Sequence, residues 1–331
     1  MKDKFNREIN YARISVTDRC NLRCRYCMPE CGVKKLSHAD ILTLEEILRV
    51  SKLFARLGVK KIRITGGEPL LRRNLPSLIR DLKKISGIEE VNLTTNGVLL
   101  KNFAPELISA GLDGINLSLD TLEEKTFANL TRRRLFSYVL EGFQTLLDKN
   151  FKNLKINCVH LRGVNENELL GLANLARNNF IKVRFIELMP IGCAWESGLR
   201  GIPTAEIFST LERNFGELLP VYDKNPLKGP AKYFKPPNFI GEIGFIDAME
   251  HKFCGNCNRI RLTAEGFLKT CLSFDYGLDV KNLLRSGASD DNILEKIRET
   301  IYNKPREHVW QLGIRNLELG INRRQMYQIG G

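Results

Sequence analysis

Six of the nine cysteines fall into two tight groups, Cys20, Cys24 and Cys27 in "TDRCNLRCRYCMP" and Cys254, Cys257 and Cys271 in "FCGNCNRIRLTAEGFLKTCL". Three thiols in so short a loop are improbable as buried free cysteines, and an odd total does not suit a disulfide framework. Clusters of the 4Fe-4S type take one thiolate per iron, so three cysteines leave one iron open to a substrate or cofactor. The alternative is zinc, completed for the first group by Cys254 and Cys257 or for the second by His251. C-x3-C-x2-C is not one of the usual paired C-x2-C zinc spacings, and a zinc ribbon needs a fourth ligand. Spacing therefore favours a cluster at the first group, while at the second a zinc site completed by His251 stays open. Cys31, Cys158 and Cys193 are left over, and Cys31 is close enough in sequence to compete for the open iron of the first group.

The elements that must position these thiols are legible as a rhythm. Short β-branched runs recur at 11–16, 60–65, 90–95, 114–119, 154–161 and 182–189. Between them lie amphipathic helical patterns near 43–57, 75–86, 103–110, 135–149, 166–178 and 204–214. The clearest helix opens on a capping box, Thr43 with Glu46, and ends at Gly58. Six strand-helix units predict an α/β fold with a parallel sheet, because each parallel return needs a crossover. Periodicity alone leaves open whether that sheet curls into a partial barrel or stays doubly wound. The first cysteine group directly follows the first strand, so it belongs at the C-terminal strand ends, where such folds place their chemistry. Five of the twelve prolines lie between Pro220 and Pro237. The expected division is a core over 1–218, a Pro-rich connector over 219–238 and a C-terminal region over 239–331 with short strands, a helix near 291–303 and a polar tail.

The chain has 331 residues, 43% of them hydrophobic and 27% charged, enough to bury a full core. No apolar run reaches the length of a membrane span, and the N-terminus lacks an apolar leader, so the cytoplasm is the expected compartment. A formal net charge of +13 fits a nucleic acid, an acidic small molecule such as a nucleotide, or solubility alone.

"CNLRCRYC" resembles the signature of the radical S-adenosylmethionine (SAM) superfamily. The resemblance implies a partial (β/α)6 TIM-like barrel whose open side is closed by the C-terminal region. It also implies that the open iron binds SAM and that the enzyme cleaves SAM reductively to a 5′-deoxyadenosyl radical. Tyr26 is similar to the aromatic residue that meets the adenine. "ITGGEP" resembles the family's glycine motif, where Gly66 and Gly67 would let backbone approach the methionyl group. "TTNG", "LSLD" and "ELMP" would bring Thr94, Ser118 and Met189 to the same rim. SAM-binding residues are then Tyr26, Gly67, Ser118 and Met189.

The second cysteine group and the terminal Gly-Gly resemble one branch of that superfamily, from about residue 10 to the last. Members of that branch convert GTP to 3′,8-cyclo-7,8-dihydro-GTP in the first step of molybdenum cofactor biosynthesis. The resemblance implies a second 4Fe-4S cluster on Cys254, Cys257 and Cys271, open for the guanine. It assigns Arg13, Arg63, Thr94, Lys155 and Arg259–Ile260–Arg261 to GTP, with Arg259, Arg261, Gly330 and Gly331 in catalysis. Lys61 and Arg184 would complete a basic wall, suited to a triphosphate because guanidinium groups give paired donors in a plane. Implied partners are a flavodoxin or ferredoxin-type electron donor, the next pathway enzyme (cyclic pyranopterin monophosphate synthase) and a second copy in a homodimer, with no nucleic acid and no membrane. The Arg132–Arg134 run reads as an exposed face. Two rival readings are a radical SAM peptide maturase with an auxiliary cluster and a non-enzymatic zinc protein that binds nucleic acid.

Overall fold

The structure is a computed structural model that describes all residues except 34–35, 223–224, 226, 250, 309, 311–323 and 331. Its first two-thirds runs β1 (Tyr11–Ser15), α1 (Leu44–Arg56), β2 (Lys61–Thr65), α2 (Leu75–Lys83), β3 (Glu90–Thr95), α3 (Leu100–Ser109) and β4 (Gly114–Ser118). It continues with α4 (Glu124–Thr131), α5 (Phe136–Asp148), β5 (Leu154–Val159), α6 (Leu169–Asn174), β6 (Lys182–Ile186), α7 (Cys193–Glu196) and α8 (Thr204–Phe215). The expected capping box opens α1: the Thr43 hydroxyl accepts from Glu46 N at 3.1 Å and the Glu46 carboxylate accepts from Thr43 N at 2.8 Å. Helix α4 was not expected. It is two turns long, too short for its periodicity to stand out.

The last third adds β7 (Leu219–Val221), β8 (Lys232–Lys235), β9 (Glu242–Ile246), β10 (Arg259–Leu262), β11 (Phe267–Lys269), β12 (Gly277–Asp279), α9 (Val280–Arg285) and α10 (Asp290–Tyr302). These strands do not simply lie across the open side of a six-stranded sheet. They continue it at both flanks, in the order β12-β11-β10-β1-β2-β3-β4-β5-β6-β9-β8-β7. Strand β10 runs parallel to β1 and β9 parallel to β6, so the parallel part has eight strands. The sheet is open, with β12 and β7 as its outer strands.

Parallel strands covered on both faces usually read as unbroken apolar runs. Here they alternate. Ala12, Ile14, Ile62, Ile64, Val91, Leu93, Ile115, Ile156, Val183 and Phe185 all join the core. Their neighbours Arg13, Arg63, Thr94, Asn116, Lys155 and Arg184 line a cavity on the other face. Because strand side chains alternate between faces, a polar residue at every second position is what a sheet curved around a polar cavity requires.

Candidate active site

That cavity has a volume of about 510 Å³. Both cysteine groups line it, as do Tyr26, Gly66, Gly67, Thr94, Ser118, Met189, Arg13, Lys61, Arg63, Lys155, Arg184, Arg259 and Arg261. Gly330 is not among the lining residues, and neither is Ile260. Its side chain is fully buried in the hydrophobic core, on the opposite face of β10. Gly331 lies outside the described residues.

The two cysteine groups stand at opposite ends of the strands. Cys20, Cys24 and Cys27 follow the C-terminal end of β1, whereas Cys254 and Cys257 precede β10, whose Arg259 pairs in parallel register with Tyr11 at the start of β1. The antiparallel pairing of β11 with β10 brings Cys271 back to the same end. Five residues at about 3.3 Å each put roughly 15 Å of strand between the two ends. The expectation that chemistry gathers at the C-terminal ends therefore holds for the first group alone.

The first group sits in a loop closed by its own backbone, with Cys27 N and Met28 N both donating to Cys24 O at 2.9 and 3.0 Å. Burial pushes the Cys24 thiol well up, and Cys27 and Cys20 push it further; burial and Cys20 likewise raise Cys27. All three thiols are free. No three His, Cys, Asp or Glu side chains among the described residues converge as a single-ion site would. A cluster spaces its thiolates by its own iron-sulfur core, so this donor set suits a cluster better than zinc. His251, the alternative zinc ligand, is exposed and pairs with Asp247 at 2.8 Å instead.

The glycine motif has a packing reason as well. A Cβ on Gly67 would stand 2.2 Å from Arg19 O, and one on Gly66 2.9 Å from Thr17 O. Gly67 N donates to Thr17 O at 2.7 Å. These glycines seat the segment that leads into the cysteine loop, besides lining the cavity.

Between the two ends lies a basic wall. Arg261, Arg13 and Arg63 are register neighbours across β10, β1 and β2, a cross-strand row of three guanidinium groups. Among the described lining residues, ten are Lys or Arg and three, Glu90, Asp120 and Glu187, are acidic. Burial and then Arg261 hold Arg13 well below its ordinary range, and burial and Arg259 bring Arg261 down to about 10. Burial and then Arg184, Arg63, Lys61 and Lys182 bring Lys155 down to about 6. Burial raises the Tyr11 phenol, but Arg63, Arg13 and Lys61 outweigh it and bring it to about 7. Nη1 of Arg63, Nη2 of Arg184, the Thr94 hydroxyl and Oδ1 of Asn157 are buried without a hydrogen-bond partner. Crowded cations and orphaned polar atoms are the complement of a polyanion with polar edges.

Several participants were missed by sequence reasoning. Asp120 accepts from the Tyr26 hydroxyl at 2.6 Å and from Val159 N at 2.8 Å, fixing the aromatic ring against β5. Tyr11 accepts from Arg63 Nε and so orients that guanidinium. Lys304, nearly inaccessible, lines the cavity and donates to the carbonyls of Arg259 and Thr270. Arg7 donates to Cys254 O at 2.9 Å and Pro305 O at 2.6 Å while paired with Asp3. The connector is a wall of the site, with Lys61 donating to Leu227 O at 3.0 Å and pairing with Glu90 at 2.6 Å. None carries a local signal; each acts across a long sequence separation.

The C-terminal segment turns inward. Gly330 O accepts from Arg13 Nη2 and Arg261 Nη1, both at 3.1 Å. Gly330 has φ +74, and a Cβ there would stand 2.4 Å from the Thr65 hydroxyl. Gln325 Oε1 accepts from Cys193 N at 2.5 Å, and Met326 and Tyr327 line the cavity.

Residues 14–176 match the model of the radical SAM superfamily and residues 181–310 that of Molybdenum Cofactor Synthesis C. The chain is 47% identical to a GTP 3′,8-cyclase of Pelotomaculum thermopropionicum over 100% of both chains. It is 41% identical to molybdenum cofactor biosynthesis protein 1 of Bos taurus, covering 96% of this chain and 50% of that protein. Streptococcus suis SuiB, solved bound to S-adenosylmethionine, is similar in fold, with TM-score 0.56 at 15% identity over 94% of this chain and 66% of that one. From its cysteine loops to its full-length likeness, the chain belongs to the GTP 3′,8-cyclase family of the radical SAM superfamily.

Proposed function

We propose that the chain converts GTP to 3′,8-cyclo-7,8-dihydro-GTP, the first step of molybdenum cofactor biosynthesis. The observation that carries this reading is one cavity lined by both three-cysteine groups and by a row of arginines. Cys20, Cys24 and Cys27 would hold a 4Fe-4S cluster, and Cys254, Cys257 and Cys271 a second one. When bound, the first cluster and SAM supply a 5′-deoxyadenosyl radical, a species able to take hydrogen from the 3′ carbon of a ribose.

The protein's own contribution is orientation and exclusion of water. Tyr26, held by Asp120, together with Gly67, Ser118 and Met189, forms the SAM side of the cavity. Arg13, Arg63, Thr94, Lys155, Arg259 and Arg261 form the GTP side, with Ile260 contributing through its backbone. Guanidinium groups set side by side in one row bind the triphosphate as charge-assisted donors, each such bond contributing about 1.5–3 kcal/mol. The Gly330 carbonyl bridges Arg13 and Arg261, so the C-terminal segment, ending in Gly331, senses the same arginines as the nucleotide.

We assign residues 1–218 to the core that presents SAM, 219–238 to the connector and 239–331 to the region that presents GTP. A flavodoxin or ferredoxin-type protein would supply the electron, and cyclic pyranopterin monophosphate synthase would take the product, with the chain acting alone or as a homodimer. No helix among the described residues is long and apolar enough to cross a membrane.

The test is anaerobic loading with iron and sulfide, then incubation with SAM, dithionite and GTP, with 5′-deoxyadenosine and cyclised GTP followed by mass spectrometry. Formation of both, dependent on GTP, is the expected result. Deoxyadenosine without a GTP product would move the substrate elsewhere, and neither product would overturn the reading.

A further inference from the structure

The Arg132–Arg134 run, which the sequence presents as an ordinary exposed face, ends helix α4 directly against the first cysteine loop. Arg23 N donates to Thr131 O at 2.9 Å and Arg25 N to Leu130 O at 3.0 Å, so the loop and the helix end are laced together by backbone. Arg25 Nη1 adds a bond to Asn129 Oδ1 at 3.0 Å. Arg132 takes the left-handed conformation, φ +54, and turns back over the loop. Its Nη1 donates to Arg23 O at 3.0 Å and Met28 O at 3.3 Å, carbonyls next in sequence to Cys24 and Cys27. Arg133 and Arg134 are exposed beside it. The acid paired with this group is Glu30, exposed and 3.8 Å from Arg132.

Two faces of the cysteine loop matter. One opens on the cavity, where SAM and GTP belong in the proposed function. The other is laced to the α4 end, the side on which Arg133 and Arg134 stand exposed to an incoming electron carrier. We infer that Arg25 of the cysteine loop and Arg132, Arg133 and Arg134 at the α4 end form the docking surface for an acidic one-electron carrier protein. The inference rests on the radical SAM reading and adds the place where its electron arrives. One electron leaves the reduced carrier, which is oxidised by one electron, and reduces the cluster on Cys20, Cys24 and Cys27; no bond is made or broken. The carbonyls capped by Arg132 join the surface to the thiolate-bearing residues by hydrogen bonds and covalent backbone. Charge complementarity favours an acidic carrier, and rim charges of this kind act mainly on encounter rate and salt dependence.

The probe is purified flavodoxin, titrated into the full-length protein by calorimetry at low and high salt, beside the variant Arg133→Glu/Arg134→Glu. Neither residue touches the cavity. The wild type should bind flavodoxin with an affinity that falls as salt rises, and the variant should bind roughly tenfold more weakly. Arg133→Lys/Arg134→Lys should retain binding. Deoxyadenosine formation driven by photoreduced flavodoxin should fall with the Glu variant, while formation driven by dithionite, which needs no docking, stays unchanged. Equal flavodoxin binding by wild type and Glu variant would overturn the inference, as would parallel loss of both activities. Salt-sensitive binding of an RNA oligonucleotide, lost in the variant while flavodoxin binding persists, would reassign the surface to nucleic acid. A wild type that makes no deoxyadenosine with dithionite would instead remove the radical SAM reading beneath it.

Discussion

The two cysteine groups share a cavity but are built in opposite ways. The first is local: one loop holds all three thiols, and burial together with Glu68 raises Cys20 to about 11. The second, from Cys254 to Cys271, is tied by side chains from distant parts of the chain, and Cys257 is kept in cationic company. Burial would raise Cys257, yet Lys304 and Arg259 outweigh it and bring the thiol down to about 6. Arg7, from before β1, and Lys304, from after α10, supply the ties. One site is a motif set where charge is disfavoured. The other lowers one thiol, Cys257, while burial raises Cys254, and it lies at the end of the sheet where a nucleotide would meet it.

The largest test of this contrast separates the two groups by substitution. Cys24→Ser should abolish deoxyadenosine formation, by roughly a thousandfold or more, because the cluster supplies the difficult chemistry. Cys257→Ser should retain SAM cleavage and lose the cyclised product. Equal loss of SAM cleavage in both variants, measured by chromatography, would erase the distinction between the sites.

Next in size is the arginine row. Arg261→Ala should weaken GTP binding by roughly 10- to 100-fold, the worth of a charge-assisted bond, without weakening SAM binding. Isothermal titration with each ligand separates the two, and a matching loss for SAM would mean that the row serves both ends.

The thiols themselves give a smaller effect, read on protein free of iron. At pH 7 Cys257 is largely thiolate and Cys20 is not, so iodoacetamide should label Cys257 first, by peptide mass mapping. Lys304→Met should slow that labelling by several-fold, since it removes the first of the two cations that lower the thiol. Unchanged labelling would show that Lys304 holds backbone alone.

Lys155, between the two groups, gives the smallest effect. With its pKa near 6 in the free protein, it is mostly neutral above that pH, and a bound triphosphate restores its proton. GTP binding at pH 7.5 should therefore take up close to one proton, measured by calorimetry in buffers of different ionisation enthalpy, and Lys155→Met should abolish the uptake. The unfolded chain binds this proton up to about pH 10.4 and the folded chain does not, so its contribution to stability improves as pH rises from about 6 through that range. Lys155→Met should accordingly raise the melting temperature at pH 7 while it weakens GTP binding.

What the sequence made legible follows the same divide. "YARIS", "KIRIT" and "RIRL" alternate apolar and polar residues, and that alternation reports both the strands and the polar cavity they face. The first cysteine loop is readable because its ligands, its strand and its glycine partners are close together or repeat in order. The parallel pairing of β10 with β1 has no local signature, since a strand's partner is set by tertiary packing. For the same reason Lys304, Arg7 and the Leu227 carbonyl could not be found: each is an ordinary residue whose importance lies in a contact with a distant element. Treating Arg259–Arg261 as a unit hid that strand geometry turns the side chain of its middle residue, Ile260, into the core and leaves only its backbone for the site.

The pairing of β10 with β1 also dictates a timetable. Tyr11 meets Arg259 across roughly 250 residues of intervening chain. At a synthesis rate of about 5–20 residues per second, β1 waits on the order of 10–50 s with one backbone edge unpaired. During that interval the nascent sheet carries an exposed edge, the kind of surface that pairs with other chains. A ribosome that stops before residue 259 leaves this edge open for good, so truncated products of this chain should be recovered as aggregates or with chaperones rather than as partly active enzyme.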